Sequence, residues 1–84
     1  MYSELVSIIT SYSRMRQLAH EFEFGFEDEL EIKEMLSSVD KGIDRFTGVL
    51  QQDCMYTAKV ECLQLQLKLI RLGALMEEKV RAYF

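Results

Sequence analysis

Apolar residues recur at alternating steps of four and three through nearly the whole chain, in three separate runs. The first is Met1, Leu5, Ile8, Tyr12, Met15, Ala19, Phe22 and Phe26. The second is Ile32, Leu36, Val39, Ile43, Phe46 and Leu50. The third is Met55, Ala58, Cys62, Leu65, Leu69, Leu72, Met76, Val80 and Tyr83. Steps of three and four place every member of a run on one face of a helix. The spacing therefore predicts an all-α fold, an antiparallel bundle of three helices over about 2–23, 28–50 and 54–83.

Two stretches alternate with period two, as a strand would. Residues 22–32 do so around Gly25, and no second β-rich segment is present to pair with them. Residues 60–69 do so with Leu, Gln and Lys, which favour helix, and continue without a turn signal into a helical pattern. Both are read as helical or turn segments.

The chain contains no proline, so its helix ends must be set by glycine and by side-chain caps. Gly25 is expected to end helix 1 in the left-handed conformation. Asp28 is expected to cap helix 2, with Glu31 completing a capping-box pair. Glu27, Asp28 and Glu29 add negative charge at that positive helix end. Helix 2 is expected to run through Gly42. Its stripe loses phase at Asp53, which is expected to cap helix 3. This punctuation is soft, so in an oligomer helices 2 and 3 could run on as one rod.

Helix 3 carries a second run, Tyr56, Val60, Leu63, Leu67, Ile70 and Ala74. With the first, it is expected to form a face wide enough to pack on both other helices. Helix 1 opposes its stripe with Ser3, Ser7, Thr10, Ser11 and Ser13, a surface of short side chains that is either a solvated face or room for a close helix. The turn between helices 1 and 2 is acidic, from Glu21 to Glu34, and the end of helix 3 is basic, with Lys68, Arg71, Lys79 and Arg81. An up-down-up topology brings the two together. By length helix 3 overshoots its partners, so Val80, Tyr83 and Phe84 either anchor a partner or fold over the bundle end.

The 84 residues make one domain, 1–84, of which 49% are apolar. A domain this small buries only about 60–65% of the surface its unfolded chain exposes, so apolar surface is left for another chain. The net charge of −4 opposes general nucleic-acid or anionic-membrane affinity. No apolar run approaches the ~20 residues that span a bilayer, and no secretion signal is read. Cys54 and Cys62, eight apart on one helix, lie about 12 Å apart along its axis, too far for a disulfide. Two unpaired thiols suit a reducing, cytoplasmic setting.

No chemical constellation emerges, and neither a cofactor nor a metal site is expected. His20 is the only histidine and is expected at the opposite end of the bundle from Cys54. The four glycines are isolated, so no phosphate loop is read. The layout resembles that of the all-helical chorismate mutases, three-helix chains of similar length. The nearest counterparts of that family's inward cations would be Arg14, Arg16, Lys41 and Arg45, whose spacing departs from the family's. Catalysis on a small-molecule substrate is therefore not expected.

The expected function is that of a non-enzymatic interaction module, an adaptor or chaperone-like subunit that receives an amphipathic helix. The expected contact residues are Tyr56, Val60, Leu63, Leu67, Ile70, Ala74, Val80, Tyr83 and Phe84. Met15, Met35, Met55 and Met76 are expected either to fill the core or to lend that face adaptability. In layout the chain is similar to the small acidic helical chaperones of bacterial secretion apparatus, without sharing a motif with them. The rival expectation is a self-assembling structural protein, an intertwined homodimer.

Overall fold

The computed structural model describes residues 1–52 and 54–84. Three helices form from the three stripes: α1 (Tyr2–Glu21), α2 (Phe26–Gln51) and α3 (Met55–Arg81). They pack against one another as an all-α bundle. Met1 and Tyr2 lie beside Leu50, Cys54 and Met55 at one end. At the other end Phe22 and Phe24 lie beside Tyr83. So α1 and α3 run parallel and α2 runs against both. The bundle measures 45 × 19 × 17 Å, a rod set by the length of α3, about 40 Å for 27 residues.

The core is drawn almost entirely from the predicted stripes. Leu5, Ile8 and Tyr12 come from α1, and Ile32, Leu36, Val39, Ile43 and Phe46 from α2. Ala58, Cys62, Leu65, Leu69, Leu72 and Met76 come from α3. Phe46, Ile32, Leu65, Leu72 and Val39 are the largest side chains sealed from solvent. Met15 and Met35 pack at the edge of this cluster. Three of those four methionines are thus core filling, and only Met55 is exposed.

Helix 2 runs unbroken through Gly42, where a close approach requires glycine. A Cβ there would sit 2.6 Å from Leu65 Cδ2. Helices α2, ending at Gln51, and α3, starting at Met55, are distinct elements. Asp53, expected to cap α3, lies outside the described residues.

The first turn differs from expectation. Helix 1 ends at Glu21, and the residue after it, Phe22, has an extended backbone (φ −88°, ψ 132°). Gly25 is also extended (φ −62°, ψ 161°) and stands before α2 instead of ending α1 left-handed. Its value is room, since a Cβ would come 3.1 Å from Tyr83 Oη. Helix 2 begins at Phe26, which makes Asp28 its third residue and not its cap. The carboxylates of Asp28 and Glu31 do not form a capping box. Both reach Lys79 Nζ, at 3.1 and 3.0 Å.

That pair of contacts is the expected meeting of acidic turn and basic tail, carried among the described residues by Lys79 alone. Arg81 turns back to Glu77 of its own helix. Helices α2 and α3 prove nearly equal at 26 and 27 residues, with α1 the short one at 20. The last turns of α3 therefore do not overhang. They are covered by residues 22–25, and Tyr83 packs edge-on against Phe22 and Phe24.

Candidate functional site

Two apolar runs on one helix share a face only if their register differs by three or four. Those of α3 differ by one and by two in turn: Leu69 and Ile70, then Leu65 and Leu67. One and two positions are about 100° and 200° of rotation on an α-helix, a mean of about 150°, so the two runs face largely opposite ways. The first faces α1 and α2 and is buried from Ala58 to Met76. The second faces away, with Tyr56 80%, Ile70 68%, Leu63 61% and Leu67 53% exposed. Ala74 is also exposed and Val60 is half-buried. The expectation that both runs pack on the other two helices is thus corrected by helical geometry. Helix 3 uses one face for its own core and turns a second apolar face to solvent.

This outward stripe spans about 27 Å from Tyr56 to Ala74. Its borders are polar: Lys59 and Gln66 on one side, Thr57, Gln64 and Arg71 on the other. An apolar strip with a polar rim is the usual form of a surface that another chain covers. Along the Gln66 border, Ser7 and Ser11 of α1 leave an open groove of about 440 Å³ against Leu69 and Ile70. The short side chains of α1 thus flank the outward stripe and widen access to it.

Six of the nine expected contact residues form this strip: Tyr56, Val60, Leu63, Leu67, Ile70 and Ala74. The other three are elsewhere. Val80 is half-buried and lines a hollow with Leu18, Phe22, Phe24 and Met76. Tyr83 closes the first turn, donating to Asp28 Oδ2 at 3.2 Å and accepting from the Gly25 N–H. Phe84 is 96% exposed at the same end, far from the strip. Sequence reasoning passed over a second outward run, Tyr2, Val6 and Ile9 of α1. Its steps of four and three carry the same signal, but it lies across α1 from the Ser7–Ser11 border and does not join the strip.

The polar residues weighed for chemistry are dispersed. His20 stands at the last turn of α1, beside Arg16, Phe22, Ile32 and Lys33 around an open hollow of about 550 Å³. Lys33 is paired there with Glu29 at 3.1 Å. Cys54 is at the other end of the rod, where the Thr57 hydroxyl, and then the Thr57 backbone N–H, hold its thiol below the ordinary range. Cys62 is buried in the core, and that burial pushes its thiol up. Among the described residues no helix is long and apolar enough to cross a membrane. No protein-family model, curated protein or solved structure matches the chain.

Proposed function

We propose that this chain is a helical interaction module, an adaptor or chaperone-like subunit whose outward α3 face receives an amphipathic helix. One observation carries the reading: α3 is apolar on two opposite faces, and its own bundle covers only one. A helix apolar on both sides is ordinarily buried on both. The six residues Tyr56, Val60, Leu63, Leu67, Ile70 and Ala74 supply the knobs at the spacing that a second helix accepts. Contact energy is expected to concentrate on Tyr56, Leu63, Leu67 and Ile70, the largest of them. The two reduced thiols fit action in the cytoplasm.

The rod presents 5965 Å² of accessible surface, where a compact monomer of 9.9 kDa exposes about 5,200 Å². A docked helix would recover part of that excess. The test is an affinity pull-down with mass spectrometry, comparing wild type with the Leu67→Asp, Ile70→Asp variant. The variant is expected to keep its helical circular dichroism and lose its partner. A folded variant that retains every partner removes the α3 face from consideration.

A further inference from the structure

We propose that the helix received by this face is α3 of a second copy of the chain, docked antiparallel about a two-fold axis near the middle of the strip. This rests on the reading of the outward face as a docking surface and names its occupant. The strip steps by four, three, four, three, four, the same order read from either end. Antiparallel pairing about its midpoint therefore sets Tyr56 against Ala74, Val60 against Ile70 and Leu63 against Leu67. The largest residue meets the smallest, and the central layers match in size. Parallel pairing would place Tyr56 on Tyr56 and Ala74 on Ala74, overfilling one layer and leaving a void in another.

Charge agrees with this register. Lys59 falls beside Gln66 and Gly73 of the second copy, and Arg71 beside its Thr57 and Gln64, so no two like charges meet across the seam. The antiparallel helix dipoles also oppose favourably. Helix α1 borders the strip along Gln66 only with short side chains, Ser7 and Ser11, which leave an open groove there and not an obstruction. Tyr56, Leu63, Leu67 and Ile70 are each more than half exposed in the single chain, and the seam covers all four in both copies. A two-fold contact of this kind closes on itself, leaving both copies of α3 covered on both faces.

Light scattering coupled to size exclusion should return twice the 9.9 kDa mass at micromolar concentration. Leu67→Asp should raise the dimer dissociation constant about a hundredfold or more with unchanged circular dichroism. Register is read by disulfides in a Cys54→Ser, Cys62→Ala background. Proteins carrying Leu63→Cys and Leu67→Cys, mixed and equilibrated in a thiol buffer, should form the mixed disulfide several-fold above either self-disulfide. Dominant self-disulfides would overturn the antiparallel register. A monomeric wild type overturns the second copy, yet leaves the docking face standing if the Leu67→Asp, Ile70→Asp pull-down still loses its partner. A dimer indifferent to Leu67→Asp overturns the α3 seam, and with an unchanged pull-down it removes the docking face as well.

Discussion

Tyr83 accepts the backbone N–H of Gly25, a residue 58 positions earlier in the chain. The same phenol donates to Asp28, so one hydroxyl ties the end of α3 to both sides of the first turn. Phe22 and Phe24 pack around the ring with centroids 5.5 and 6.2 Å away. Tyr83→Phe keeps the ring contacts and removes the two hydrogen bonds. The expected loss is about 1 kcal/mol, since both bonds are partly open to water. Urea denaturation measures it, and an unchanged midpoint would show that the ring alone holds the turn.

Lys79 bridges Asp28 and Glu31 one turn away from that phenol. Hydrogen bonds to Glu31 and then to Asp28 raise its pKa well above the ordinary 10.5. A raised folded-state pKa gives stability that is complete below the unfolded value and fades as pH climbs toward the folded one. The stability difference between wild type and Lys79→Met is therefore expected to stay constant through neutral pH and shrink above pH 10.5. Thermal melts across an alkaline series check this. A difference that shrinks already between pH 6 and 9 would contradict it.

The glycines of α2 are expected to respond in opposite directions to alanine. At Gly48 nothing lies within 4 Å of an added Cβ, so Gly48→Ala should stabilise by about 0.5–1 kcal/mol through helix propensity. At Gly42 the same Cβ meets Leu65, which is sealed in the core and cannot yield freely. Overpacking of about 1–3 kcal/mol outweighs the propensity gain there, so Gly42→Ala should lower the melting temperature.

The two thiols should differ sharply in reactivity. Cys54 is exposed at the start of α3, with its Sγ 3.1 Å from Thr57 Oγ1, and its pKa is lowered by that hydroxyl. Cys62 is buried, and burial first, then the Glu4 carboxylate, raises its pKa. Alkylation under native conditions should label Cys54 alone on a timescale that leaves Cys62 untouched. Thr57→Val should shift the pH midpoint of Cys54 labelling upward. Equal labelling of both thiols would mean that the bundle opens readily at α3.

The core was legible because it depends on a property that sequence spacing states directly, the angle between successive apolar residues. Leu36, Val39, Ile43 and Phe46 could be assigned inward with no knowledge of their partners. The caps were less legible because they depend on where a long-range contact pulls a side chain. Asp28 and Glu31 have the spacing of a capping box, yet Lys79, some fifty residues later, claims both. Gly25 has the look of a left-handed helix end, but what it accommodates is the Tyr83 hydroxyl from the far end of the chain. The outward strip was named residue by residue as a contact surface but read as adjoining the inward run on one wide face, although the offset of two between Leu65 and Leu67 already separates their directions. Whether Tyr83 would reach a partner or close its own turn had no local signal at all.

That same offset gives the sharpest test of the architecture. Leu65 and Leu67 are chemically identical, two residues apart on one helix, and face opposite ways. Leu65 is 1% exposed within the core, so Leu65→Ala removes buried methyl groups and leaves a cavity, at about 2–5 kcal/mol. Leu67 is 53% exposed on the outward strip, so Leu67→Ala should change the stability of the single chain by no more than about 0.5 kcal/mol. Urea midpoints taken in dilute solution isolate the single chain from any association. Repeating them at high protein concentration should separate the two leucines again, with Leu67→Ala now losing the concentration-dependent stabilisation that wild type gains. Equal costs for the two leucines in dilute solution would mean that α3 is rotated from the orientation described.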